Sequence, residues 1–149
     1  MIICRILNFI GYRCIELALY LDNIHHYPNK IYKQFLLDDP NDLKRVIYPL
    51  DENSLVVDVG GLTGDWASRI YNRYSCNIDI YEPHPVLLQK VRENFLRNKK
   101  VDVFGYGLGD KDDVLNLYGD FMNASLYKND MGGVHKVAIR RSLEIFNLR

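Results

Sequence analysis

The chain has 149 residues, of which 48% are hydrophobic and 26% are charged, a composition typical of one soluble globular domain. Its formal net charge of zero gives no sign of the basic surface that binds nucleic acid, so no nucleic-acid partner is expected. Its three cysteines, Cys4, Cys14 and Cys76, form no C-x-x-C pair. They predict neither a disulfide framework nor a metal site, and they suit a reducing, cytoplasmic compartment.

Residues 1–53 predict a helical leader. The stretch 2–21 is largely apolar and carries a narrow polar stripe at helical spacing: Arg5, Asn8, Tyr12 and Glu16. Arg5, Arg13 and Glu16 interrupt any span long enough to cross a bilayer, so we expect no transmembrane helix. Packing on the domain or on a partner subunit is one interpretation of this helix, and attachment to a membrane surface is the other.

The rest of the leader predicts a second helical region with a break. His25 and His26 are adjacent and would point in different directions on a helix, so we expect no metal site there. The sequence D-D-P-N-D at 38–42 breaks the region. Asn41 or Asp42 is then predicted to cap a short helix that continues to residue 48.

The sequence S-L-V-V-D-V-G-G-L-T-G-D-W at 54–66 organises the chain. Its Val-rich run ends at Asp58 and predicts a buried strand followed by a tight glycine turn. Thr63 is the predicted cap of a helix over residues 63–74. Apolar residues recur at steps of four and predict the buried face of this helix: Trp66, Ile70 and Tyr74.

The glycine turn predicts a ligand site. Gly60, Gly61 and Gly64 let the main chain approach a ligand closely, and the free N–H groups at the start of the helix favour polar or negative ligand groups. The dinucleotide fingerprint G-x-G-x-x-G requires a glycine at position 59, which is Val59 here. An acidic residue, Asp58, precedes the turn instead.

A second acidic strand end follows. The sequence I-D-I-Y-E-P-H-P at 78–85 predicts another strand, and its Glu82 lies 18 residues after Gly64. A carboxylate at the tip of the second strand is placed to accept the hydroxyls of a ribose. Pro85 suits the first position of a second helix, with His84 as its cap. We interpret His84 as a structural cap or a solvent contact rather than a catalytic base.

The remaining elements are shorter. Residues 101–106 predict a third strand, and residues 107–110 a loop at its tip. The ends of the first two strands are expected to border a ligand-binding crevice, and this loop would form its third wall. Two strands at 114–118 and 124–127 are predicted to form a hairpin. A last strand at 134–139 and a short helix at 142–148 complete the chain.

Three segments together resemble the FkbM-type family of class I S-adenosylmethionine-dependent methyltransferases. They are D-V-G-G-L-T-G-D-W at 58–66, Y-E-P-H-P at 81–85, and G-L-G-D at 107–110 followed by S-L at 125–126. The resemblance covers residues 54–128 and implies methyl transfer to a hydroxyl oxygen of a small-molecule or glycan-type acceptor. The cofactor-binding residues that it implies are Asp58, Gly60, Gly61, Gly64, Trp66, Glu82, Pro83, Gly107 and Leu108.

The resemblance stops before the acceptor site. The family pattern K-x-D-x-E-G does not occur, so no catalytic residue is assigned. We therefore expect an α/β, Rossmann-like class I methyltransferase fold over 54–149, truncated after three parallel strands and a β-hairpin. The run Leu55-Val56-Val57 predicts a strand buried on both faces. Without a further neighbour it would present an edge for self-association. A fragment of a longer chain, a partner, or cover by the leader would each explain this, and we favour the fragment.

Two other functions fit parts of the pattern. A non-catalytic remnant or interaction module would keep the cofactor crevice without turnover. A nicotinamide-dependent oxidoreductase half-domain is disfavoured, because Val59 replaces the first fingerprint glycine and Asp58 precedes the turn.

Overall fold

The computed structural model describes residues 34, 37–39, 43–120, 124–128 and 132–147. The chain forms two compact units, Met1–Tyr48 and Pro49–Arg149. The predicted leader helix at 2–21 and the pair His25-His26 lie outside the described residues. No helix within the described ranges combines the length and the apolar character needed to cross a bilayer.

In the first unit, Asp39 organises a turn. Its carboxylate accepts hydrogen bonds from the backbone N–H groups of Leu43 at 2.8 Å and Lys44 at 2.6 Å. Residues 44–46 form a turn, so the predicted short helix up to residue 48 is wrong over 43–48. Asn41 and Asp42, its predicted caps, lie outside the described residues. Asp39 supplies the side-chain cap, because an Asp readily accepts N–H groups a few residues further along the chain.

The second unit begins with a parallel sheet. Its strands are β1 (Leu55–Val59), β2 (Asn77–Tyr81) and β3 (Val101–Phe104), in the order β1-β2-β3. The crossover helices are α1 (Asp65–Tyr74) and α2 (Pro85–Phe95). This alternation of strands and helices confirms the predicted mixed α/β fold with three parallel strands.

Buried apolar side chains hold this sheet and its helices together. Tyr81 of β2 is fully buried and stacks on Phe104 of β3, with ring centroids 4.8 Å apart. Cys76 is a buried free thiol, as expected of a small apolar residue. The other buried apolar residues of the sheet and its helices are Ala67, Ile70, Ile78, Ile80, Leu87, Val91, Phe95 and Val101.

Strand β1 is less buried than its sequence predicts. Within the described residues it pairs with β2 alone, and Leu55 and Val59 are 48% and 62% exposed. Val56 and Val57 are half-buried. The predicted burial on both faces is therefore wrong for Leu55, because β1 is the edge strand of this sheet.

A second sheet follows in the same unit. It contains β4 (Gly107–Gly109), β5 (Asp113–Tyr118) and β6 (Val134–Arg141), in the order β4-β6-β5, and leads into α3 (Ser142–Asn147). Strand β6 runs parallel to β4 and antiparallel to β5. Leu117, Val137 and Ile139 form its buried cluster.

The structure corrects three predictions, two of them in this second sheet and one at the start of α1. Gly107–Gly109 is a strand and not a loop, because it pairs with β6. The predicted strand 124–127 makes only a single bridge, from Ser125 to Tyr118, so the partner of β5 is β6. Helix α1 begins at Asp65 with Gly64 at its N-cap, and the hydroxyl of Thr63 donates to Oδ2 of Asp65 at 2.6 Å instead of capping the helix.

Candidate functional site

Two acidic residues lie where β1 and β2 end. Asp58 pairs with Ile80 in the parallel register, and Val59 pairs with Tyr81, the residue before Glu82. The backbone N–H of Gly60 donates to the carbonyl of Tyr81 at 2.8 Å and extends this pairing into the glycine turn. Because the strands are parallel, their carboxyl ends meet at one edge, where open α/β sheets bind ligands. The structure thus brings together Asp58, the glycine turn and Glu82.

Glu82 fixes the loops at this edge. Its Oε2 accepts the N–H of Leu62 at 2.8 Å, and its Oε1 accepts the N–H of His84 at 2.8 Å. The residue is 5% exposed. Leu62 has φ +53°, a left-handed conformation that is unusual for a branched apolar residue. Glu82 therefore has a structural role that the sequence did not reveal, and only the second lone pair of each oxygen is left for a ligand.

Asp58 is a partly buried acid. Its Oδ2 is buried, and among the described residues no hydrogen-bond partner reaches it. Burial raises the pKa of Asp58, and the neighbouring charge of Glu82 raises this pKa further. A buried carboxylate oxygen is costly unless a donor or a proton satisfies it, so Asp58 is a candidate ligand-binding residue.

The three predicted glycines differ in why the backbone requires a glycine at each position. Gly60 has φ +86°, and a Cβ there would meet open space. A Cβ on Gly61 would collide with Cγ2 of Ile80, and one on Gly64 would lie 2.7 Å from the ring of Phe95. Gly61 and Gly64 thus allow close packing of the turn on β2 and α2. Gly60 is the glycine with free space beside it.

The other predicted cofactor residues lie around this edge in different settings. Trp66 is half-buried in the first turn of α1. Gly107 is buried, and a Cβ on it would be 3.8 Å from Pro83, so those two residues are close together. Leu108 is half-buried within β4, where it pairs with Arg140. The assignment of all nine residues to a cofactor stays a prediction.

His84 differs from its interpretation as a cap or solvent contact. It occupies the N-cap position of α2, yet its side chain makes no cap hydrogen bond and the residue is 2% exposed. Its ring lies 4.4 Å from the ring of His135, centroid to centroid. Burial lowers the pKa of His84, and His135 lowers it further.

Asp120 and His135 join His84 in a cluster that the sequence did not predict. Nε2 of His135 is 3.3 Å from Oδ1 of Asp120. This hydrogen bond, followed by that from the N–H of Gly133, lowers the pKa of Asp120. The pairing of β5 with β6 brings Asp120 and His135 together, and no local sequence motif predicts this contact.

A cavity of about 220 Å³ lies beside α3 and not at the strand ends. Its charged groups are paired with one another, since Arg140 contacts Asp112 at 2.9 Å and Arg141 contacts Glu144 at 3.3 Å. The strand ends differ from this cavity, because no described residue donates a hydrogen bond to the buried Oδ2 of Asp58 there.

No protein-family model matches the chain, and no curated protein matches it. A solved structure, the apo form of mycolic acid cyclopropane synthase CmaA1, is similar with a TM-score of 0.40 and 16% sequence identity. The match covers 56% of this chain and 31% of that chain, so the chain spans about a third of that neighbour's length. It is a weak match.

Proposed function

We propose that the second unit binds S-adenosylmethionine and acts as part of a methyltransferase whose acceptor is a hydroxyl oxygen. The observation that carries this proposal is the buried Oδ2 of Asp58, which lacks a donor among the described residues and lies at the strand end next to Glu82. The methionine end of the cofactor carries an ammonium group, which would supply both the missing donor and a compensating positive charge.

The acidic character of this edge helps to choose between cofactors. A nicotinamide dinucleotide brings a negatively charged diphosphate to the glycine turn, where Asp58 would repel it. S-Adenosylmethionine carries a positively charged sulfonium and an ammonium group, both of which two carboxylates attract. Val59, in place of the first fingerprint glycine, points the same way.

Each residue of the edge has a proposed role. Asp58 accepts a hydrogen bond from the ammonium group, and Gly60, with open space beside it, lets the methionine end lie against the turn. Glu82 uses its remaining lone pairs for the ribose hydroxyls. The cofactor, when bound, supplies an activated methyl group, so the protein contributes mainly position and orientation. We assign no catalytic base.

Calorimetric titration tests the binding site with two probes. S-Adenosylhomocysteine contains the ammonium group, whereas methylthioadenosine lacks the amino-acid end. We expect Asp58→Asn to weaken the binding of S-adenosylhomocysteine by about 1.5–3 kcal/mol, the range for a hydrogen bond to a charged group. The binding of methylthioadenosine should be unchanged. Asp110→Asn, at an exposed position, is the matched control. Equal binding of S-adenosylhomocysteine by the wild type and by Asp58→Asn would refute the role of Asp58.

A transfer assay separates the enzyme from the non-catalytic alternative. Purified protein is incubated with cofactor labelled in the methyl group and with a panel of hydroxyl-bearing small molecules and glycans. Label in an acceptor supports the O-methyltransferase. The assay uses the full natural protein. If that protein is folded and binds the cofactor but transfers label to no acceptor, a binding module is favoured instead.

A further inference from the structure

The cluster of His84, Asp120 and His135 lies apart from the acidic pair that carries the proposed function. His84 follows β2, Asp120 follows β5, and His135 lies within β6. The two sheets therefore meet at this cluster. Each of its residues offers one ligand atom, an imidazole nitrogen or a carboxylate oxygen, and these atoms all lie within 4.8 Å of one another.

We propose that these three side chains bind a divalent first-row transition-metal ion, with Zn²⁺ as the representative ion. Two imidazoles and one carboxylate form a ligand set that such ions prefer, whereas Mg²⁺ and Ca²⁺ prefer oxygen ligands. Three protein ligands leave the fourth tetrahedral position open to water or another small ligand. This inference does not depend on the proposed cofactor.

The distances are close to those of a metal site. Ligand atoms about 2.0–2.1 Å from a tetrahedral ion are roughly 3.3 Å apart. Nε2 of His135 and Oδ1 of Asp120 already have a separation of 3.3 Å. The His84 imidazole has to approach these atoms from within 4.8 Å, a rearrangement of side chains rather than of strands.

The surroundings hold the carboxylate in place. The N–H of Gly133 donates to Oδ2 of Asp120 at 3.2 Å, which leaves Oδ1 directed at His135. Gly132 has φ +111°, and a Cβ on it would collide with Oδ2 of Asp120, so the glycine allows the backbone to lie against the carboxylate. Such outer contacts orient ligands in metal sites.

The site combines a buried side with an open side. His84 is 2% exposed, while 46% of the Asp120 side chain and 26% of the His135 side chain are exposed. An ion therefore has a path in from the Asp120 side. Bound there, it would link the β5–β6 hairpin to the start of α2.

The first experiment is a Zn²⁺ titration of tag-free, chelator-stripped protein by calorimetry, with Mg²⁺ as the comparison ion. We expect one Zn²⁺ per chain and no comparable binding of Mg²⁺. Asp120→Asn and His135→Gln should each weaken the affinity for Zn²⁺ by at least roughly 10–100-fold. That is the loss typical of mutating a residue that only hydrogen-bonds to a metal ligand. Asp112→Asn, whose carboxylate pairs with Arg140 at the opposite end of the same strands, is the matched control and should bind normally.

Variants at His25 and His26 test whether this adjacent histidine pair, and not the proposed cluster, binds Zn²⁺. A His25→Asn/His26→Asn double variant should keep the affinity for Zn²⁺. His84→Gln is tested by circular dichroism before titration, because the residue is buried. Cobalt(II) absorbance in the visible range should change in His135→Gln if an imidazole is a ligand. Absence of Zn²⁺ binding by the folded wild type, or equal affinity in Asp120→Asn and His135→Gln, would overturn the site.

Discussion

The backbone N–H of Leu62 donates to Oε2 of Glu82 at 2.8 Å, and this bond joins the glycine turn after β1 to the end of β2. The same carboxylate accepts the N–H of His84 at the start of α2. One side chain thus holds both loops that border the candidate cofactor site. Loss of Glu82 should therefore affect the fold of this edge as well as ligand binding.

We expect Glu82→Gln to lower the free energy of unfolding by about 1.5–3 kcal/mol. The amide replaces one acceptor oxygen with an N–H₂ group, which faces a backbone N–H and leaves it without an acceptor. Chemical denaturation measures the change. Glu93→Gln is the control, since the Glu93 carboxylate is exposed and accepts a hydrogen bond from the side-chain amide of Gln89 at 2.8 Å rather than from a backbone N–H. Similar stability of the two variants would contradict the role of Glu82.

Asp58→Asn should stabilise the protein at neutral pH. Burial, and secondarily Glu82, raise the pKa of Asp58 in the folded state. The folded protein then holds this proton more tightly than the unfolded chain, so the Asp58 contribution to stability falls as pH rises from the ordinary carboxyl pKa to the raised one. Above that window the penalty is constant, and Asn removes it.

Thermal unfolding at several pH values from about 4 to 8 checks this prediction, starting near the ordinary pKa of Asp. The melting temperature of Asp58→Asn should exceed that of the wild type by the largest margin at the highest pH values of this range. Asp110→Asn, at an exposed position, should follow the wild type. A lower melting temperature of Asp58→Asn at neutral pH would show that Asp58 makes a stabilising contact.

Gly60→Ala and Gly64→Ala form a matched pair. Both glycines have a left-handed backbone, with φ +86° and +83°, so alanine costs about 1–2 kcal/mol at either position. Only at Gly64 does the new methyl group meet the ring of Phe95, at 2.7 Å. Overpacking adds about 1–3 kcal/mol there. Equal losses in urea denaturation would disprove the packing account of Gly64.

The edge of β1 should promote self-association. Leu55 and Val59 are exposed on a strand that pairs on one side only within the described residues. A Lys side chain on an edge strand opposes pairing with another chain. We expect light scattering to show concentration-dependent association of the wild type that Val59→Lys reduces. Leu96→Lys, at an exposed apolar position just after α2 and on no strand, is the control.

The sequence predicted the parallel sheet well, because each of its elements has a local signal. The apolar run before Asp58, the proline at the start of α2 and the helical spacing of Trp66, Ile70 and Tyr74 in α1 all depend on near neighbours in the chain. Glu82 was placed at the correct strand end for the same reason. Its two backbone contacts were missed, since they depend on how the turns fold.

The second sheet was predicted less well because its pairing is not local. The sequence G-L-G at 107–109 is typical of a loop, and it becomes a strand only through β6, which begins at Val134. The same pairing brings His135 near His84. Periodicity within a short window contains no information about such partners.

The position of β2 also determines which part of this unit opens last. It is paired on both sides, and hydrogen bonds from Gly60 to Tyr81 and from Glu82 to Phe104 prolong the ladders past its end. Each paired amide of β2 donates to one of the two neighbouring strands and can exchange with deuterium only when that neighbour separates, whereas amides on the outer side of β1 need no such event. Native-state hydrogen exchange should therefore be slowest in β2. The strand that ends at the candidate site would then belong to the part of the unit that is most resistant to local unfolding.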